Sequence, residues 1–305
     1  MLFGRALLMR LANSPTIERI MKSNGVHAPF VRRFVAGETM EEIVEPVRCL
    51  NARGLMVSLD YLGENVKSIA EADEVVAYYL RLYPFIHEKQ LDANVSLKLT
   101  HLGLDLGDEV AYHNMRRILD CAAEFNIFTR IDMESSAYTA RTLEIFYRLW
   151  QDYKQVGPVI QAYLYRSTAD VERLIQVGAR IRLVKGAYLE PVEVAFQQKR
   201  DVDNHFRTLM QMLLLRGNYP AIATHDVAMI RATQEFAQAH QITPDRFEFQ
   251  MLYGIRRDLQ NSLVKEGYRM RIYVPFGSQW YPYTMRRLAE RPANVWFVLK
   301  HLFRR

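Results

Sequence analysis

Eight times along this chain a compact, β-prone apolar run ends in a polar residue and gives way to a stretch of helical period. The runs are 55–60 (LMVSLD), 95–99 (VSLKL), 128–134 (FTRIDME), 158–164 (PVIQAYL), 180–185 (RIRLVK), 221–225 (AIATH), 247–252 (FEFQML) and 271–276 (RIYVPF). Between them, segments such as 71–83 and 109–124 place apolar residues at three- and four-residue intervals, the period of a helix with one buried face. Strand–helix alternation implies parallel pairing. Eight units close into a barrel, whereas an open doubly wound sheet more often has fewer strands and carries a phosphate-binding glycine turn. The chain has neither a GxGxxG nor a GxxxxGK[ST] motif. The expected fold class is therefore α/β, a (β/α)8 barrel.

The polar residues that close the runs support the same reading. Asp60, Lys98, Asp132, Glu134, Gln161, Lys185, His225, Gln250 and Tyr273 sit at or near the carboxyl-terminal ends of otherwise apolar segments. In a barrel these ends converge on one face, where active sites of the fold are built. Strand ends meet solvent in any protein, which accounts for one or two such residues more readily than for a ring of them. Residues 1–50 read as helices without a strand partner, with Thr39 and Glu42 spaced as a capping box. The expected division is an amino-terminal helical arm (1–50) followed by the barrel (51–305).

Composition narrows the function classes. Half of the 305 residues are hydrophobic and 24% are charged, which suits one sizeable core and does not suit disorder. The two cysteines, Cys49 and Cys121, form no metal-binding or disulfide spacing, and a reducing, cytoplasmic setting follows. No metal site is expected, since HExxH-type spacing is absent too. A net charge of +6 favours acidic partners in general. The basic residues are not gathered into a block, so no nucleic-acid partner is expected. No apolar run reaches the length of a membrane span, and residues 1–13 suit either a short amphipathic anchor or a first packed helix.

Several side chains carry chemistry by type. Adjacent Arg286 and Arg287 offer two planar donor forks suited to a carboxylate or phosphate, although a solvated helix face carries the same pair. Tyr273, Trp280, Tyr281 and Tyr283 crowd the preceding segment and can wall an apolar pocket or serve as rim material. Lys98 and Lys185 stand at strand ends, where a lowered amine pKa would permit a Schiff-base aldolase and a carboxylate partner would instead make an ion pair. His101 and His225 suit hydrogen bonding or stacking better than zinc.

These residues lie within strings that closely resemble the proline dehydrogenase family in its short monofunctional bacterial form. The strings are SLKLTHLGLDL (96–106), RIDMES (130–135), IQAYLYR (160–166), RIRLVKGAY (180–188), ATHD (223–226), FEFQMLYG (247–254), RIYVPFG (271–277) and WYPYTMRRLAERPAN (280–294), preceded by VRRFVAGET (31–39). The resemblance also extends to the proline dehydrogenase domain of bifunctional proline utilisation proteins. It implies FAD-dependent oxidation of L-proline to 1-pyrroline-5-carboxylate on a barrel without a Rossmann glycine turn. By matching position it makes Met133, Gln161, Lys185, Gly186, Ala187, Thr224 and His225 flavin contacts. The substrate shell becomes Lys98, Asp132, Leu252, Tyr273, Tyr283, Arg286 and Arg287, with Lys98 paired to Asp132 and both arginines on the proline carboxylate. Arg182 matches the family arginine near the flavin's reactive nitrogen, and Asp132 and Arg182 are the catalytic candidates. Glu64 matches a glutamate that pairs with the second arginine as a gate. Leu189 departs from the tryptophan that many longer members carry after RLVKGAY. A membrane quinone as electron acceptor, peripheral contact with the inner face of the membrane and a separate downstream pyrroline-5-carboxylate dehydrogenase are further implications of the resemblance.

Overall fold

The computed structural model describes residues 33–284. The chain enters through helix α1 (Met40–Asn51) and then alternates strand and helix: β1 (Met56–Tyr61), α2 (Ile69–Glu88), β2 (Ala93–Leu97), α3 (Asp108–Glu124), β3 (Thr129–Ile131), α4 (Ser136–Trp150), β4 (Val156–Gln161), α5 (Ser167–Gln176), β5 (Arg182–Val184), α6 (Lys199–Arg216), β6 (Ala221–Ala223), α7 (Val227–Ala239), β7 (Glu248–Leu252), α8 (Arg257–Lys265) and β8 (Met270–Phe276). All eight strands pair parallel with their sequence neighbours, and β8 returns to β1 to close the barrel. All eight runs read from the sequence coincide with strands, and the fold class is the expected (β/α)8 barrel.

The ends of α1 show why it starts where it does. Thr39 caps it by accepting from the Glu42 amide at 3.4 Å, the first half of the capping box that the sequence implies, while the Glu42 carboxylate reaches back one residue further and accepts from the Glu38 amide at 3.0 Å. Residues 36 and 37 are tied to the top of β8 by the bonds Ala36 N–H to Pro275 C=O and Gly277 N–H to Gly37 C=O. Leu55, just after the helix, enters the bottom of β1. A 12-residue helix spans about 18 Å at 1.5 Å per residue, close to the height of the barrel wall. It therefore runs down the outside of the β8–β1 seam, burying Ile43, Val47 and Leu50.

Several strands are shorter than their apolar runs. β3, β5 and β6 each span three residues. The ladder nevertheless continues past them, through Asp132 N–H to Leu97 C=O, Tyr163 N–H to Lys185 C=O and Thr224 N–H to Gln250 C=O. β4 starts before the proline that the run at 158 opens on, because Val156 already pairs with Thr129. Pro158 has no amide to give the ladder. Its carbonyl accepts from Arg130 instead, at 3.1 Å.

Alternation along the strands sets the character of the barrel. Val57, Leu59, Val95, Leu97, Ile131, Leu183, Phe249, Met251, Ile272 and Val274 are buried at one parity. Thr129 shares this parity, and its hydroxyl meets that of Tyr83 on α2 at 2.7 Å, so these residues face the helical layer. The other parity points into the barrel and is largely polar, with Ser58 and Asp60, Asn94 and Ser96, Arg130 and Asp132, Arg182, Glu248 and Gln250, Arg271 and Tyr273, while β4 and β6 contribute the small or apolar Gly157, Val159, Ala221 and Ala223. Barrels of this class are usually filled with branched apolar residues. Much of this one is filled instead by buried charge, organised by the hydrogen-bonded ion pairs Arg182–Asp132 and Arg271–Glu248.

Candidate active site

At the foot of the stack Arg271 Nε donates to Glu248 at 2.9 Å, and the Gln250 amide also donates to that carboxylate. Above them the Arg182 guanidinium crosses the barrel. Its Nη1 donates to Asp132 at 2.7 Å and its Nη2 to Ser96 at 2.9 Å and Ser58 at 3.3 Å, joining β5 to β3, β2 and β1. The Tyr273 hydroxyl donates to the second oxygen of Asp132 at 2.7 Å, and its ring lies 5.3 Å from the Arg182 guanidinium carbon. Asp132 is thereby fixed by two donors on opposite walls.

Lys98 and Asp60 form the upper rim. Their charged atoms are 3.7 Å apart, so Asp60 is the carboxylate that pairs with Lys98; the Lys98–Asp132 pair expected by resemblance does not form. The reason is that Asp132 already accepts from Arg182 and Tyr273. Burial works against the Lys98 ammonium, yet the Asp60 and Asp132 charges together hold its pKa above the ordinary lysine range. Burial pushes the Asp60 carboxyl up, with Lys98 opposing it. Neither Asp60 oxygen has a hydrogen-bond partner among the described residues, and both are enclosed.

Next to this rim, Glu134 accepts from the amide and hydroxyl of Thr100 at 3.2 and 2.6 Å. Burial raises its pKa to about 7 against the pull of those bonds and of Lys98. Glu64 lies close enough for its charge to act on both Lys98 and Glu134. His101 is buried, packs on Tyr61 at 5.6 Å and is held neutral by burial and by Lys98, its pKa lowered to about 3. No group of three or more potential metal ligands occurs among the described residues.

The remaining candidates lie on the neighbouring strand tops. Gln161, at the end of β4, donates to the Glu134 carbonyl at 2.8 Å. Met133 and Thr224 are buried, and the Thr224 hydroxyl accepts from the Asp226 amide at 3.1 Å. His225 Nε2 accepts from the Leu252 amide at 2.9 Å, which places a ring proton on Nδ1 and ties β6 to β7. Lys185 donates to both Asp203 and Asp226, the latter at 2.7 Å. Gly186, at φ +116°, runs so close to Tyr163 that a Cβ would sit 2.4 Å from its ring. Ala187 follows it, exposed. Tyr283 and Trp280 are buried, and Trp280 Nε1 donates to Glu38 at 2.7 Å. Arg286 and Arg287, and with them the Arg287 half of the expected gate, lie outside the described residues.

The barrel thus gathers Lys98, Asp132, Arg182 and Tyr273 into one network, and sets Met133, Gln161, Lys185, Gly186, Thr224, His225 and Leu252 on adjoining strand tops. Ser58 and Ser96 bond into the network and were not among the candidates, while Asp60, read from the sequence as a polar strand end without a role, pairs with Lys98. Their signal was present, as polar residues two apart on β1 and β2, the period of a strand face.

The sequence profile of the family described as proline dehydrogenase matches residues 43–300. The chain belongs to the proline dehydrogenase family. It is 45% identical over 301 residues to proline dehydrogenase 1 of Bacillus subtilis subsp. natto, covering 99% of both chains. It is 40% identical over 305 residues to the proline dehydrogenase of Deinococcus radiodurans, covering 98% of both. Likeness to bifunctional protein PutA of Escherichia coli is lower, 29% over 87% of this chain and 24% of that protein. A crystal structure of proline utilization A from Bdellovibrio bacteriovorus, inactivated by N-propargylglycine, superposes with a TM-score of 0.81 at 28% identity, over 88% of this chain and 33% of that one. Proline dehydrogenase membership makes the chain an oxidoreductase of proline catabolism, and the charged mouth of the barrel is the candidate site for that reaction.

Proposed function

We propose that this enzyme oxidises L-proline to 1-pyrroline-5-carboxylate with FAD held across the strand ends, and that the observation carrying this reading is the Arg182–Asp132–Tyr273 network roofed by Lys98 and Asp60. The donor set suits a flavin. Lys185, Thr224, His225 and Gln161 bring polar groups to the tops of β4–β6, Met133 adds an apolar one, and Gly186 and Ala187 keep the β5 turn free of bulk. When bound, FAD supplies the two-electron acceptor for hydride.

The chain's own residues orient and balance charge. Asp60 and Asp132 against Lys98 and Arg182 make a mouth of nearly zero net charge, into which a zwitterionic imino acid fits without large repulsion. Arg286 and Arg287 would take its carboxylate through bidentate bonds, with Glu64 closing on Arg287. Tyr273, Tyr283 and Leu252 would shape the slot for the ring, holding the carbon next to nitrogen, on the side away from the carboxylate, in line for transfer. Oxidation removes a hydride from that carbon and a proton from nitrogen, and the nitrogen lone pair forms the C=N bond. Arg182, a fixed cation under the site, would stabilise the negative charge that the hydride acceptor, the reduced flavin, would carry. Lys98 and Lys185 both stand in ion pairs with carboxylates, which argues against the neutral amine that a Schiff-base aldolase needs.

A membrane quinone as the final acceptor, peripheral attachment to the inner face of the membrane and release of product to a separate pyrroline-5-carboxylate dehydrogenase complete the reading. It is consistent with a chain in which no helix among the described residues is long and apolar enough to cross a membrane. The test is direct. Protein reconstituted with FAD should show the visible flavin band and lose it on anaerobic addition of L-proline; a colourless protein, or a band that proline leaves unchanged, would reject the assignment.

A further inference from the structure

The opposite end of the barrel holds a cavity of about 430 Å³, among whose lining residues are Asn94, Arg130, Arg180, Tyr219, Glu248 and Arg271. These residues stand at the starts of β2, β3, β5, β7 and β8 or just before β6, whereas Lys98 and Asp132 stand at strand ends. In an all-parallel barrel the two groups open on opposite faces. The cavity is thus separate from the catalytic mouth.

Arg130 is the unusual group in it. Its side chain is buried, and no carboxylate lies within ion-pair distance of it among the described residues. Nη1 donates to the carbonyls of Pro158 and Arg180, and Nε is enclosed without a partner. Nη2 is left as the donor that meets the cavity. Glu248 and Asp132 lie near enough to favour the Arg130 charge but bond elsewhere: the Glu248 oxygens accept from Arg271, Gln250 and Tyr219, and those of Asp132 from Arg182 and Tyr273. Burial, together with the nearby Arg182 and Arg271 charges, disfavours the cation. A guanidinium does not shed its proton in a protein, and this one is met from inside only by two carbonyls, by carboxylates beyond ion-pair distance and by the Phe128 ring 4.7 Å from its carbon, which leaves it suited to an anion from outside. Arg180 adds a second guanidinium, partly exposed and packed over the rings of Phe128 and Tyr219 at 5.5 and 5.4 Å. The lining holds three guanidiniums, of Arg130, Arg180 and Arg271, against the two carboxylates of Asp92 and Glu248.

We propose that this cavity binds a small organic oxyanion, whose carboxylate or phosphate group is held by Arg130 and Arg180 and whose body occupies the space beside Phe128 and Tyr219. Its volume lies within the range of small-molecule sites and exceeds the needs of a single inorganic ion. Such a ligand stabilises the fold by mass action without touching the catalytic mouth.

The experiment measures the melting temperature of the flavin-loaded, full-length protein against inorganic phosphate and against citrate, with sodium chloride at matched ionic strength as reference. A saturable rise beyond chloride is expected with at least one probe, lost in Arg180→Ala, weakened at least tenfold in half-saturating concentration in Arg130→Lys, and retained in Tyr273→Phe at the other end of the barrel. A response to phosphate alone points to phosphoesters and one to citrate alone to polycarboxylates; both support the site. The proposal is overturned if neither probe exceeds chloride, if Arg180→Ala keeps the full response, or if Tyr273→Phe abolishes it. Should Arg130→Lys fail to fold, Arg180→Ala decides the matter, because the Arg180 side chain is partly exposed and engages through stacking.

Discussion

Arg182 on β5 spans the barrel interior to Asp132 on β3, Nη1 to Oδ1 at 2.7 Å, with both side chains nearly buried. The pair is locked on one side by Ser58 and Ser96 and on the other by Tyr273. Removing one partner of such a pair leaves an uncompensated charge in the interior, at a cost of about 3–5 kcal/mol. Asp132→Asn should therefore lower stability by about that amount and abolish proline oxidation, as read by urea unfolding and by flavin reduction. In a double-mutant cycle Asp132→Asn with Arg182→Met should cost clearly less than the sum of the single changes. Strict additivity would mean that the two side chains do not depend on each other.

Tyr273→Phe keeps the ring and removes only the hydroxyl that donates to Asp132. A hydrogen bond to a charged group contributes about 1.5–3 kcal/mol. Stability should fall by about that much, and turnover should fall with it as Asp132 gains freedom to turn from Arg182. A variant with wild-type stability and wild-type kcat/KM would show that the phenol only fills space.

Lys185 donates to two carboxylates, Asp203 and Asp226, and an ammonium held in this way ties the β5 and β6 tops together and is a poor Schiff-base nucleophile. Treatment with borohydride in the presence of substrate should leave the mass of the chain unchanged, at Lys185 and at Lys98 alike. A stable adduct on either lysine would revive the Schiff-base reading.

The barrel was legible in the sequence because eight strand runs and their helices obey different periods, and because polar residues closed nearly every run. The pairing inside it was not legible. Lys98 has Asp60 as its partner, on the adjacent strand, while Asp132 is taken by a residue two strands away; strand order alone does not say which of two carboxylates an ammonium meets. The inverted character of the interior was written at Ser58, Ser96, Arg130 and Arg182, yet each reads singly as an interruption of an apolar run. Only the closed ladder shows that they share one axis. The cavity at the foot of the barrel had no sequence signal at all, since its residues come from strand starts spread over most of the chain.

Gly186 illustrates a residue whose identity is set by its neighbour. At φ +116°, with the Tyr163 ring where a Cβ would go, it is strained by any side chain. Gly186→Ala should destabilise the β5 turn and weaken flavin retention. Gel filtration in the presence of flavin, followed by absorbance, reads this directly. Shrinking Tyr163 to Leu in the same chain should relieve the clash but not the backbone strain, so recovery should be partial.

Glu134 gives the clearest pH signature. Burial raises its folded pKa from 4.5 to about 7, with the Thr100 bonds and Lys98 opposing the rise. A carboxyl whose folded pKa is raised contributes stability that is fully present below the unfolded value and is lost as pH climbs through the folded one. At 1.36 kcal/mol per unit this amounts to about 3 kcal/mol between pH 4.5 and 7. His101, held neutral with a pKa lowered to about 3, acts in the opposite sense, because the unfolded chain takes up its proton first as pH falls from about 6.5. The slope of the wild type alone therefore mixes the two. The difference between wild type and Glu134→Gln isolates one, since the amide mimics the protonated acid and leaves His101 in place. The variant should gain stability relative to wild type steadily from pH 4.5 to 7 and hold that gain above it. Parallel unfolding curves across the window would show that Glu134 is ionised and well solvated in the folded enzyme.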